Sequence, residues 1–244
     1  MSDWETLRRF TQARIGIGRT GHGIPTTEHL KFQLDHARAR DAVHWSWDIA
    51  SLQKKLKSEK ILSFVVKTPA ESRTEYLARP DLGRKLDPVS EKELRSKFKK
   101  SYDIAFLLSN GLSSSAIETH GFHFLKVLMK ELKDSGFKVS PVFIADNSRV
   151  ALSDSVGAAV KAKMVIMLVG ERPGLTSSDS LAMYLTYAPK VGNTDAKRNC
   201  ISNIRPPEGL DYKTAAKKTL FLITESFRRK LSGVQLKDET DLLS

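Results

Sequence analysis

Cysteine is almost missing from this sequence. Cys200 stands alone among 244 residues, so no internal disulfide can form, which fits a reducing cytosol. Long apolar runs are missing too. The longest are about the six residues of Met164 to Val169, against the roughly 20 that a membrane-spanning helix needs. No charged-then-apolar leader with a small-residue cleavage site opens the chain. These absences lead us to expect a soluble, cytoplasmic protein with no membrane partner.

Acidic residues are the minority charge: 28 Asp and Glu face 40 Lys and Arg, a net charge of +12. Such an excess points to nucleic acid, an acidic partner protein or an anionic ligand. The basic residues are scattered, with short clusters at Lys54-Lys55, Lys99-Lys100, Lys217-Lys218 and Arg228-Arg229-Lys230. Neither an aromatic-interleaved RNA-binding signature nor zinc-finger or basic-zipper spacing is present. Solvated helix faces explain most of this charge, and an acidic protein partner comes next. A basic nucleic-acid-binding module is the alternative function.

Catalytic motifs are equally scarce. No Gly-Lys-Ser/Thr follows the Gly170-Glu171-Arg172-Pro173-Gly174 stretch at P-loop spacing, and Gly170 starts no dinucleotide fingerprint. There is no G-x-S-x-G nucleophile elbow. His22, His29, His36, His44, His120 and His123 include no pair at helical zinc spacing. Cys200 has Arg198 close by, but a guanidinium cannot accept a proton, so a small buried hydrophobe is the simpler reading.

What is present has two textures. Residues 1–99 read as a helical N-terminal domain: Pro25-Thr26-Thr27-Glu28 starts one long helix or two, with Leu30, Leu34, Ala37 and Val43 near one face. A break falls at 63–69. Residues 100–244 alternate strands with helices, predicting a doubly wound, mainly parallel α/β sheet of Rossmann-like type. Strands are expected at DIAFLLS, KVSPVFIA, KMVIMLVG and NCISNI. Helices are expected at 114–135, from about Ser153, from about Ser178 and over the final DYKTAAKKTLFLITESFRRKL. Ligands of such sheets sit beyond the carboxyl ends of the strands, which here read SNGLSSS, ADNSRV, GERPGL and SNIRPP. SNGLSSS could cradle an anion on backbone amides, but plain capping is its simpler reading.

Five blocks carry a resemblance: TQARIGIGRTGHGIPTTEHLKFQLDHARARDAVH (11–44), SRTEYLARPDLGRKL (72–86), SNGLSSSAIETHG (109–121), VGERPGLTSSDSLAMYLTYAP (169–189) and RNCISNIRPPEGL (198–210). In this order they resemble the small (light) subunit of ethanolamine ammonia-lyase. The resemblance implies a large barrel subunit as partner and adenosylcobalamin as cofactor. It also implies conversion of ethanolamine to acetaldehyde and ammonia, with substrate and radical chemistry on the large subunit. The small subunit would help hold cobalamin at the interface (a Rossmann-like, cobalamin-binding fold), leaving this chain alone inactive. Residues 1–99 would contact the large subunit.

Three cofactor-binding positions carry over. Glu171 matches the acid of the family's G-E-R-P-G block, accepting hydrogen bonds from corrin amides; its plainer role is a solvated loop charge or a partner of Arg172. Cys200 matches the cysteine of C-I-S-N-I, as a packing group and not a nucleophile. Val150 matches the apolar residue after Arg, a van der Waals contact whose plainer role is core packing. The sequence departs from the family in three places. The loop between Pro189 and Cys200 is one residue shorter than in some relatives. Ser109-Asn110-Gly111 stands where Ala-Asp-Gly is expected, and only about ten residues precede the first block. Relatives with a longer start can be directed into a bacterial microcompartment, for which Trp4, Leu7 and Phe10 offer a short apolar face.

Overall fold

The apolar runs become strands because successive side chains enter different layers. Ile104, Phe106 and Leu108 join one buried cluster, while Ala105 and Leu107 join another on the opposite face. A strand buried on both faces reads as a continuous apolar run, as Met164–Val169 does. The computed structural model describes residues 3–11 and 13–239. It is an α/β protein with a six-stranded mixed sheet in the order β1-β3-β2-β4-β5-β6.

The helices α1 (Asp3–Arg8), α2 (Thr26–His44) and α3 (Ile49–Ser58) come first, followed by β1 (Ser63–Val66), α4 (Arg73–Ala78) and α5 (Pro88–Lys97). The stretch 26–58 is therefore two helices, separated where Asp48 caps α3 by accepting from the Ser51 amide at 2.8 Å. The break expected at 63–69 contains a strand. Ser63-Phe64-Val65-Val66 pairs in parallel with β3 (Val139–Ala145), since its aromatic and β-branched residues fit a pleated edge. Leu30 and Leu34, expected on a packed face of α2, are exposed, and Ala42 is the buried residue of that helix.

Strand β2 (Tyr102–Ser109) lies between β3 and β4 (Ala162–Gly170), parallel to both. After β2, α6 (Ser114–Ala116) passes through a π-helical turn at Ile117–Gly121 into α7 (Phe122–Leu132). After β3 the chain forms α8 (Leu152–Ala159). That helix starts one residue before Ser153, whose hydroxyl donates to the Val150 carbonyl instead of capping. Helix α9 (Tyr212–Arg229) is capped by Asp211, which accepts from the Thr214 amide at 3.0 Å. α3, α7 and α9 cover one face of the sheet, and α5 and α8 the other. The chain leaves β2 and β3 toward opposite faces, so a crevice opens beyond their carboxyl ends.

No helix follows Ser178. Residues 174–177 make a tight turn, and Leu181–Tyr187 is strand β5, antiparallel to β4. The Ser-Ser-Asp-Ser run resembles a helix cap, but Asp179 and Ser180 spend their oxygens on Arg205 and Glu171 instead. Strand β6 (Arg198–Ile204) then pairs antiparallel with β5, so three of five pairings in the sheet are parallel.

One ion pair ties this antiparallel extension to α8. Arg198 donates to Asp154 at 2.6 Å, with side chains only 1% and 2% exposed. Thr186 and the Asn193 carbonyl accept two further bonds from the same guanidinium. Removing one partner of a buried pair leaves the other charge uncompensated. Asp154→Ala is expected to lower unfolding stability by about 3 kcal/mol, read as a drop in the urea midpoint; an unmoved midpoint would show that the pair contributes nothing.

Candidate functional site

The four strand ends singled out in the sequence meet at one edge. They border a cleft of about 900 Å³, lined by Gly111 and Leu112 after β2, Ser148 to Val150 after β3, Gly170 to Arg172 after β4, and Ser202 and Asn203 of β6. Arg8, Arg9, Phe10 and Thr11 of the N-terminal segment close one side. The backbones approach so tightly that side chains are excluded at two points. A Cβ on Gly170 would sit 2.0 Å from the Ser113 carbonyl oxygen. One on Gly111, at φ +51, would sit 2.4 Å from that of Gly170.

Glu171 stands where β4 ends, and its carboxylate is a fastener. Ser180 and Ser202 donate their hydroxyls to it, and the Asn203 amide donates at 3.0 Å. The Glu171 amide in turn donates to the Ser180 carbonyl at 2.9 Å. Three donors, one just before β5 and two on β6, thus hold one carboxylate. No ion pair joins it to Arg172, the plainer role the sequence allowed, among the described residues. A carboxylate offers roughly four acceptor positions, so one remains free of these three donors.

Cys200 lies on β6 opposite Tyr184 of β5, and Tyr184 rather than Cys200 borders the cleft. Cys200 is exposed, not the buried hydrophobe expected from the sequence, because β6 is the edge strand of the sheet. Desolvation by neighbouring protein pushes the thiol up to about 11, with Glu171 adding to the effect and a hydrogen bond with Tyr184 opposing it. Burial also raises the Tyr184 phenol. Such a thiol stays protonated near neutral pH and is a poor nucleophile. Val150 packs against the core cluster under α8, its plainer role, and also borders the cleft.

The loop after β2 is fixed by polar groups. Asn110 donates its amide to Asp146 and Ser114, and its oxygen accepts from the Asn147 amide at 2.8 Å. A carboxylate at 110 could not donate to Asp146, so this loop is built around the amide. Ser113 accepts from the Ala116 amide, the plain cap expected of SNGLSSS. Arg73 clamps the other wall, donating to the carbonyls of Val43, Gly111 and Leu112 and to Asn147.

A side-chain chain behind the cleft escaped the sequence reading. Arg205 donates to Asp179 at 3.0 Å, and Asp179 also accepts from His120. The ionised carboxylate fixes the tautomer: Nε2–H of His120 donates to it, and Nδ1 accepts from the Tyr212 hydroxyl at 2.7 Å. Burial lowers the His120 pKa, and Asp179 opposes that. His120 sits in the π-helical turn, a departure from the ladder that re-aims a side chain and has no signature in the sequence. Among the described residues, no group of three or more His, Cys, Asp or Glu could hold a metal ion. None of their helices is long and apolar enough to cross a membrane.

An edge cleft with fixed polar walls is the candidate ligand site of this α/β protein. Comparison with known proteins carries this further. A family model described as "Ethanolamine ammonia-lyase light chain (EutC)" matches residues 1–237, and the chain belongs to that family. It is 46% identical over 242 residues to the ethanolamine ammonia-lyase small subunit of Azotobacter vinelandii, covering 98% of this chain and 89% of the relative. Small subunits from Pseudomonas putida (47% over 242 residues, 98% and 89% covered) and Xanthomonas campestris (48% over 241 residues, 98% and 88% covered) are similar. The resemblance read from the five blocks is thereby confirmed.

Cys200 is the single cysteine, so its reactivity has one source. Its thiolate is scarce at pH 8, and the chain should react with iodoacetamide roughly tenfold to a hundredfold more slowly than a small free thiol. Labelling at the free-thiol rate would overturn the protonated, inert reading.

Proposed function

We propose that this chain is the small subunit of an adenosylcobalamin-dependent ethanolamine ammonia-lyase, converting ethanolamine to acetaldehyde and ammonia together with a large barrel subunit. The observation that carries this is the meeting, at one cleft, of the Arg-Val and Gly-Glu-Arg-Pro-Gly blocks in a chain of the light-chain family. The four strands β1-β3-β2-β4, parallel and covered on both faces, support reading the fold as a doubly wound cobalamin-binding type extended by an antiparallel pair.

The residues fit the group on three counts. The cleft is near the upper end of ligand-pocket volumes, roughly 300–1,000 Å³. Glu171 keeps an acceptor position for an amide N–H of the ligand, with its orientation already set by Ser180, Ser202 and Asn203. Val150 offers apolar surface, and Tyr184, with Cys200 opposite it on β6, offers an uncharged one elsewhere on the rim. Bound adenosylcobalamin supplies the radical chemistry through its cobalt–carbon bond. This chain orients the ring, and the large subunit holds substrate.

The N-terminal region, residues 1–99, supplies the contact with that subunit in this reading. Helix α2 leaves Leu30, Phe32 and Leu34 exposed, and Trp45 follows at its end. Exposed large apolar side chains on one element are the kind of surface that a partner subunit covers. The positive charge then serves the cleft and the subunit contact, with neither nucleic acid nor membrane as partner, and the assembly works in the cytoplasm.

Acetaldehyde release tests the reading directly. The purified chain, mixed with the large subunit, adenosylcobalamin and ethanolamine, should restore activity that neither subunit has alone. No activity with a competent large subunit would sink it. Glu171→Gln and Glu171→Ala should weaken cobalamin binding by roughly tenfold, while the KM for ethanolamine stays near its original value. An unchanged cobalamin titration would remove Glu171 from the site.

A further inference from the structure

The wall of the cleft holds two donors that the fold does not use. Ser148 is fully buried, and its hydroxyl has no hydrogen-bond partner; the Nε of Arg149 beside it is covered and unpartnered as well. They are the two side-chain atoms of this kind among the described residues. Roughly nine in ten buried polar groups in folded proteins are satisfied, so two adjacent exceptions in one wall call for an acceptor.

Charge points the same way. The Arg149 guanidinium lies over the Tyr76 ring at 5.0 Å, and Arg73 lies over the same ring at 5.2 Å. Arg73 is engaged by carbonyl and amide oxygens, whereas Arg149 has neither an ion pair nor a side-chain hydrogen bond among the described residues. Glu171 is bound to its own three donors, and Glu208 pairs with Arg205. Arg172 adds another cation on the cleft. No carboxylate of the cleft is therefore committed to Arg149.

We propose that Arg149 and Ser148 form an anion subsite that takes the oxygens of a phosphate ester. One edge of a guanidinium, Nε–H with a terminal N–H, matches two phosphate oxygens in parallel, and the Ser148 hydroxyl supplies a third donor. Arg149 is half-buried, and its contact with Tyr76 is weak enough to be exchanged for a charge-assisted pair. The subsite rests on the cofactor reading for its source, because the nucleotide tail of a cobalamin carries one phosphodiester. Inorganic phosphate presents the same oxygens.

The test uses the complex of this chain with the large subunit, freed of corrinoid, and two probes: hydroxocobalamin, and cobinamide, which lacks the phosphodiester tail. Arg149→Met should weaken hydroxocobalamin binding about tenfold or more, leave cobinamide binding unchanged, and keep the melting temperature of the complex. Arg149→Lys, which keeps the charge but loses the fork, should fall between, and Ser148→Ala should show a smaller loss of the same selectivity. Equal losses for both corrinoids, or none for either, would overturn the subsite while the cofactor reading stands. Should the unmodified complex bind neither corrinoid, the cofactor reading fails, and inorganic phosphate decides the subsite on the full chain. Phosphate, at ionic strength matched with chloride, then raises the melting temperature of the original chain but not of Arg149→Met. Equal melting in both salts would overturn the subsite on its own.

Discussion

The carboxylate of Glu171 is the constraint on which the cleft depends. It stands at the last position before the chain leaves the parallel part of the sheet, and it gathers the entry of β5 and the exit of β6 around itself. It holds the far end of β6, as the Arg198–Asp154 pair holds the near end. A charge-assisted bond to a carboxylate is roughly twice as strong as a neutral one, and three on one group fix its position closely. The carboxylate is therefore oriented by its own protein before any ligand arrives.

A cation does the corresponding work on the opposite wall. Arg73 gathers the end of α2, the loop after β2 and the loop after β3, using one rigid fork for four acceptors. Between Glu171 and Arg73 the loops Gly111–Leu112 and Gly170–Glu171 cross at a separation that admits no side chain. Walls fixed in this way leave little conformational freedom to lose when a ligand binds.

Much of this was legible in the residues, for physical reasons that also mark the limits. Continuous apolar runs gave β2, β3 and β4, because a strand buried on both faces has no polar register. Turn-forming residues at their ends located the rim, as chain reversal beyond a parallel sheet demands. The misreadings came where local chemistry served a distant partner. Ser178-Asp179-Ser180 has the composition of a helix cap, yet its oxygens answer Arg205 and Glu171, far away in sequence. β1 was hidden because four residues give too short a period to distinguish a strand from a break. Tyr212, His120, Asp179 and Arg205 are spread over 92 positions, so no spacing rule links them.

The excess of positive charge gains a physical meaning once the fold is known. On a solvated helix face a lysine costs little and signifies little. Arg198 differs: it is buried, and Asp154, Asp195 and Thr186 satisfy it. Arg205 also differs, being held by Asp179. Arginines inside this fold therefore follow a consistent rule in which each guanidinium is matched by internal acceptors. Arg149 departs from that rule at the cleft. A chain that satisfies its other buried guanidinium groups so thoroughly leaves one wall donor for something outside itself.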